Sequence, residues 1–371
     1  MDVGTMPSLE PLTMGQILDR AFRLYRRRFL TFVGIIAVAL VPLMLIQLVF
    51  TVLSIPNILA AAERYNEAAM YSGEEDVFGE WLNLLSTSTG GGRTVVFSAL
   101  QFVLVQGIAT AALARAVGDN YLGRATDIPG AYGRIGPIWL RLLGMIGLAV
   151  LAFAGLFIFL MLPCVGWLGG LGLFIYFTAV IYPMLPPVLA LEGQSAAGVF
   201  RRAWDLARRR FWWSLGFMLI LGIFSLVVVG APTYLLSLGL LLGLQGMAAS
   251  DPVMATTIQT VIQSVTTLLL TLLYQPLRMT AITLMYFDLR VRTEGFDLAL
   301  LAATAGGEPG VEGAEVAAQA PRPERGNVVT GNEILYFFGI SASILTVCAL
   351  CYGVTFALTM LLITAAAPYG Y

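Results

Sequence analysis

The side chains of this sequence that could do chemistry are few, and histidine is not among them. Without it there is no imidazole metal ligand, no Ser–His or Cys–His nucleophile pair and no imidazole proton relay. Three cysteines are present, Cys164, Cys348 and Cys351. The last two form a CxxC inside an apolar run with no second ligand pair, so they read as buried small apolar residues rather than as a metal site. There is no Gly-rich phosphate loop and no paired-carboxylate site. Glu63, Glu67, Glu74, Glu75, Asp76 and Glu80 lie close together without the spacing of a calcium loop, and segment 54–93 reads as a solvated acidic loop. The expectation is a protein that is not an enzyme, with no catalytic residue, cofactor or metal.

What remains is arginine and a file of uncharged polar groups. All 21 basic residues are Arg. Thr256, Gln259, Thr260, Gln263, Thr267, Thr271, Tyr274 and Gln275 recur at helical spacing in an otherwise apolar stretch and end on Arg278. At 100° per residue they occupy an arc of about 160°. Such a stripe in a membrane helix turns away from lipid. It either bonds neighbouring helices or lines a polar cavity or path. Arg278 lies about 15 Å inward of Asp288 at 1.5 Å per residue. No acidic residue lies inside any expected span to neutralise it. Arg278 either snorkels to the interface or takes an anion, and a lipid phosphate is the one at hand.

A second arginine pattern is a repeat. ILDRAFRLYRRRFLTFVGI (17–35) and VFRRAWDLARRRFWWSLGF (199–217) match at eight of nineteen positions, 182 residues apart. Thr13 and Ser195 occupy corresponding positions and suit helix N-caps. On a helical wheel Ile17, Leu18, Ala21, Phe22, Leu24 and Tyr25 oppose Arg20, Arg23, Arg26 and Arg27. Val199, Phe200, Ala203, Trp204, Leu206 and Ala207 oppose Arg201, Arg202, Arg208 and Arg209. Each copy predicts a basic amphipathic helix in the interface, apolar face down and arginines toward anionic headgroups. Two readings stand, topological anchoring by positive charge and recognition of lipid headgroups. Arg26, Arg208, Arg209 and Arg278 are the candidate lipid contacts.

The elements that must position these groups are membrane spans. The chain is 58% hydrophobic, 12% charged and carries a net charge of −1, so nothing draws it to nucleic acid. A span needs about 20 apolar residues. Apolar stretches start at Phe29 (to about Leu53), at Thr94 (to about Ala114), at Phe211 (ending near Pro232) and after Asp251-Pro252 (to about Phe287). Residues 142–191 carry no charge and suit two spans broken near PCVGWLGG, 163–170. Segment 234–248 is short and reads as re-entrant or interfacial, and the glycines Gly239 and Gly243 match a GxxxG contact motif only weakly. The domain plan is a leading amphipathic helix (1–28), a six-span membrane domain (29–298), a flexible linker (299–332) and a seventh, C-terminal span (333–371). The fold class is therefore an all-α polytopic bundle. Segments 1–28, 115–141, 192–210 and 278–333 hold 19 of the 21 arginines. The positive-inside rule then places the N-terminus in the cytoplasm and the C-terminus outside. Residues 1–28 lack an apolar core, so no cleavable signal peptide is expected. Arginine without lysine points to a GC-rich bacterial genome and an inner-membrane location.

Two motifs carry a family resemblance. The opening PLTMGQILDRAFRLYRRRF and the later LYQPLRMTAITLMYFDLRVRTEGFDL (273–298) together resemble the bacterial glycerophosphoryl diester phosphodiesterase membrane domain family. The resemblance covers about residues 11–298. It implies a polytopic membrane module without the separate catalytic barrel, which uses histidine. It also implies a local ion network of Asp288, Arg290, Arg292 and Glu294 at the closing motif. The expected function is a non-catalytic, lipid-associated scaffold that binds anionic phospholipid and organises partner membrane proteins. The alternative is a transporter or channel with a polar path along the sixth span.

Overall fold

The computed structural model describes residues 11–71, 74–88, 92–124, 126–296 and 330–366. The 299–332 linker therefore lies almost wholly outside the described residues. Among those residues the chain is all-α, and seven helices are long and apolar enough to cross a membrane. They are α2 (Phe29–Tyr71), α4 (Val96–Tyr121), α6 (Trp139–Leu160, led in by the short α5, Ile128–Gly133), α7 (Gly166–Glu192), α9 (Phe211–Gly243), α11 (Pro252–Glu294) and α12 (Gly331–Ala366). Between them lie α1 (Met14–Arg27), α3 (Glu74–Ser88), α8 (Ala196–Arg208) and α10 (Gln245–Ser250).

Local chemistry sets most of the ends. Thr13 caps α1 in a capping box with Gln16, and Ser195 caps α8 by accepting from the Gly198 amide. Asp251 caps α11 by accepting from the Met254 amide, with Pro252 at the first helical position. Gly295, at φ 63°, closes α11 in the left-handed conformation that glycine adopts without penalty.

Three expected boundaries move. The first span does not end near Leu53; α2 continues through Pro56 to Tyr71, and α3 packs back against it. Segment 54–93 is thus largely a helical hairpin rather than a loop, because its Ala-, Leu- and Glu-rich stretches favour helix. Glu63 and Glu67 are nonetheless exposed, as expected of a solvated acidic face. Nor does the fifth span stop at Pro232. It runs to Gly243, so 234–248 is the end of a span plus α10 and not a re-entrant piece. The reason is the widened π turn Leu226–Gly230 just before the proline. A proline lacks the N–H for its i−4 bond, and a wide turn absorbs that loss without ending the helix. The same pairing recurs in α7, where the π turn Phe177–Ile181 precedes Pro183. Gly239 and Gly243 meet no atom of the chain within 4 Å of an added Cβ, so they form no internal contact.

The sequence repeat is a structural one. Both amphipathic helices end in an Arg-Arg-Arg run and break at the last arginine, Arg28 (φ −123°) and Arg210 (φ −132°), before a span begins at Phe29 or Phe211. Ile17 and Val199, Ala21 and Ala203, Phe32 and Ser214, Ile35 and Phe217 are fully buried pairs at the same offset.

Contacts divide the chain into two units, Met1–Ile146 with Met184–Pro321 and Gly147–Pro183 with Arg322–Tyr371. In the first, the arginine-rich end is the packed end. Every residue of α11 from Met279 to Val291 is buried, surrounded by α1, α2, α4 and α8. From Pro252 to Gln275 only Ala255 and Tyr274 of α11 are buried. In the second unit α12 lies against the start of α7. Gly172 donates its amide to Ser341 Oγ at 2.7 Å, and a Cβ on Gly172 would stand 2.1 Å from the Phe337 carbonyl oxygen. Cys348 and Cys351 are exposed on α12, contrary to their expected burial. An apolar span presents most of its side chains to lipid, so apolar character does not imply burial in the protein. No group of three or more metal-ligating side chains occurs among the described residues.

Candidate functional site

The ends of α7 and α11 meet the middle of α8 in a cage of charge. Glu192, the last residue of α7, accepts from Arg202 Nε at 3.0 and 2.9 Å and from the Tyr286 hydroxyl at 2.7 Å. Arg202 also donates to Glu294 Oε2 at 2.6 Å, and Arg290 Nε donates to the same oxygen at 3.0 Å. Gln194 completes Glu192 at 2.8 Å. Two arginines balance two glutamates, and the Glu192 and Arg290 side chains are 0% and 1% exposed. Burial works against the Arg202 cation, but the hydrogen bonds and charges of Glu294 and Glu192 outweigh it and hold the guanidinium above its ordinary range. Beneath the cage the Arg290 guanidinium lies 4.7 Å from the centre of the buried Phe296 ring, a cation–π contact sealed from water. Arg202 and Arg290 reach both carboxylates, so the cage ties α7, α8 and α11 together.

Two further ties brace this end. Asp288 accepts the Leu12 amide at 2.7 Å, while Arg292 donates to the Leu12 carbonyl at 2.7 Å and to Asp288 at 2.9 Å. The chain just ahead of α1 is thereby clamped to the end of α11. On α4, Asp119 binds Arg134 and accepts from Thr126 at 3.1 Å, and Arg115 donates to the Ala190 carbonyl at 3.0 Å. The expected network of Asp288, Arg290, Arg292 and Glu294 is present, as two i,i+4 pairs that reach other elements. Tyrosines add ties between helices. Tyr25 donates to the Leu273 carbonyl at 2.8 Å, Tyr132 to Ile35 at 2.6 Å and Tyr274 to Leu221 at 2.5 Å. Burial pushes the Tyr25 hydroxyl up to about 12, so it remains a donor at neutral pH.

The amphipathic helices depart from expectation in one respect. Their apolar faces, Ile17, Ala21 and Tyr25 in α1 and Val199, Ala203 and Leu206 in α8, are buried against the protein rather than lowered into lipid. A helical wheel identifies a face that avoids water and cannot say what covers it. Arg202 is likewise not on the exposed arc but 7% exposed in the cage. Arg20 also turns inward: half-buried, it donates to the Tyr121 hydroxyl at 3.4 Å, while Arg23 stays exposed and pairs with Asp19. Arg26, Arg27, Arg201 and Arg209 are exposed and, with the half-buried Arg28, make no side-chain hydrogen bond or ion pair among the described residues. Arg208 pairs with Asp205 at 3.2 Å. Phe22, Phe29, Trp139 and Trp212, all exposed, border the same end.

The polar stripe of α11 faces inward. Val261, Ile262, Val265, Leu269 and Leu273 are its exposed residues, and at 100° per residue they point about 180° from the stripe. Thr256, Gln259, Thr260, Gln263, Thr267, Thr271 and Gln275 are half-buried, and none makes a side-chain hydrogen bond among the described residues. Tyr274, in the same file, meets α9 through Leu221 and the Phe224 ring, 5.9 Å away. Arg278 is half-buried with no ion pair among the described residues, where the helix becomes enclosed. The structure thus separates the candidate lipid contacts: Arg26 and Arg209 on the exposed arc, Arg208 beside Asp205, and Arg278 on the stripe. Comparison with known protein families, characterised proteins and solved structures gives no match.

Sequence reasoning missed Glu192, Tyr286 and the inward turn of Arg202. One signal was available: Glu192 ends a long uncharged run, and a carboxylate there needs a partner.

Proposed function

We propose that this chain is a non-catalytic integral membrane module. It binds anionic phospholipid headgroups at its arginine-rich, cytoplasmic end and organises partner membrane proteins there. One observation carries the reading: the arginines divide into two populations. Arg202, Arg290, Arg292, Arg115 and Arg134 are joined to carboxylates inside the fold. Arg26, Arg27, Arg28 and Arg209 gather at two equivalent kinks, beside exposed aromatic rings and without protein anions among the described residues. Juxtamembrane arginines gain about 1 kcal/mol each from an anionic leaflet, and aromatic side chains favour the headgroup level. The resemblance to a membrane module of the phosphodiesterase-associated family supports the same view.

Purified protein in nanodiscs of mixed phosphatidylcholine and phosphatidylglycerol tests it. Lipid analysis should show phosphatidylglycerol enriched around the wild type. The triple variant Arg26→Gln/Arg27→Gln/Arg209→Gln should lose that enrichment, and equal enrichment in both would defeat the proposal. A second reading, a transporter using the α11 stripe, is favoured by the stripe's glutamines and threonines, which have no side-chain hydrogen bond among the described residues. It requires a path past residues 279–291, which are all buried.

A further inference from the structure

The inward face of α11 combines features that a merely structural helix face does not need. Its glutamines and threonines are half-buried yet unbonded to protein among the described residues. A polar group in a bilayer without a partner is costly, so in the folded protein these groups meet something polar that is not protein. The face ends on Arg278, a cation with no ion pair among the described residues. The long helices that pack along α11 supply no spare counter-charge: α2 carries no acidic residue before Glu63, α9 carries none, and Asp119 on α4 is engaged by Arg115 and Arg134. Asp19, on α1, is engaged by Arg23 at 2.6 Å. The π turn Leu226–Gly230 of α9 also packs on α11, placing a widened backbone turn alongside this polar file.

We infer that this face is a binding cleft for one anionic phospholipid, its phosphate on Arg278 and its glycerol and ester oxygens on the amides and hydroxyls. Charge complementarity fixes the sign of the occupant. A single guanidinium suits a single phosphodiester, which its planar fork can meet with paired hydrogen bonds. The neutral wall of Gln275 and Thr271, within about 10 Å of Arg278 along the helix, suits uncharged oxygens. The surroundings fix the source: the adjoining α9 exposes Leu219, Ile223 and Leu226, a lipid-like environment for acyl chains. The inward end is closed by the buried segment Met279–Val291, so the cleft ends at Arg278 and is no continuous pore. The inference rests on the reading of the chain as a lipid-associated module but concerns a different site from the exposed arginines.

Native mass spectrometry of protein released from dioleoylphosphatidylglycerol-containing nanodiscs tests it. The wild type should retain one phosphatidylglycerol per chain after a delipidating wash. Arg278→Gln should lower that retained fraction about tenfold, with Gln275→Leu lowering it less. A thermal melt establishes that both variants are folded, and Arg278→Lys, which keeps the charge, should restore part of the retention. The triple variant at Arg26, Arg27 and Arg209 should keep the single retained lipid while losing the surrounding enrichment. Failure of the surface reading and failure of this one are therefore distinguishable. Equal retention in folded wild type and Arg278→Gln would overturn the proposal. So would displacement of the retained lipid by water-soluble glycerol phosphate, which would make the site one for a free phosphate ester.

Discussion

At the residue scale, burial decides what an arginine does. Arg201 and Arg202 are sequence neighbours on one helix, yet Arg201 is exposed and Arg202 joins Glu192 and Glu294 in the cage. A buried charge persists only where its partners balance it. Removing one member of the cage leaves a net charge inside the protein. Glu192→Gln should therefore lower stability by about 3–5 kcal/mol, read as a fall in the thermal unfolding midpoint in detergent. Adding Arg202→Met to Glu192→Gln restores neutrality and leaves the Arg290–Glu294 pair intact. The double variant should thus be more stable than Glu192→Gln alone, whereas simple addition of two losses would show that the groups are not coupled. The closing motif pointed to half of this arrangement, since Asp288–Arg292 and Arg290–Glu294 are spaced one helical turn apart. The other half comes from residues nearly a hundred positions away, and no local spacing encodes a tertiary contact.

At the element scale, patterns with a fixed period were legible and their surroundings were not. The α11 stripe does turn away from the lipid-facing residues, because 100° per residue is a property of the helix itself. The two RRRF kinks fall where the repeat places them. Helix ends at proline were less legible: Pro42 and Pro56 stay within α2, and Pro232 within α9, because a wide turn or neighbouring groups can offset one missing N–H. Gly172 shows the opposite case, a contact too close for any side chain. Its missing Cβ would meet the backbone of Phe337, which a rotamer change cannot relieve. Gly172→Val should force α12 away from α7 and break the bond from the Gly172 amide to Ser341. Hydrogen exchange over residues 331–355 should quicken severalfold while residues 276–294 stay protected, and unchanged exchange in the first segment would contradict this packing.

At the scale of the whole molecule, the open question of orientation has a direct test in the native cysteines. Seven spans with 19 of 21 arginines on alternate connections give one preferred insertion. Moving those connections across the membrane would oppose the bias of short, positively charged segments to stay inside. With the N-terminus inside, the turn between α6 and α7 is expected outside, three crossings from the N-terminus. Cys164 stands in that turn, exposed, with a backbone φ of 64°. Cys348 and Cys351 are exposed too, but they belong to the apolar stretch of α12, where a charged, membrane-impermeant maleimide does not reach. Intact cells treated with such a reagent should therefore label the protein at Cys164 alone, and Cys164→Ser should abolish the signal. In a chain with all three native cysteines replaced, Asp127→Cys, which lies between α4 and α6, should react only after the cells are opened. Tyr371→Cys in the same background should react from outside, since an odd number of crossings leaves the two termini on opposite faces. Labelling of Asp127→Cys in intact cells would invert the assignment of sides. Protection of Tyr371→Cys together with labelling at Cys164 would remove α12 from the count of spans and leave six.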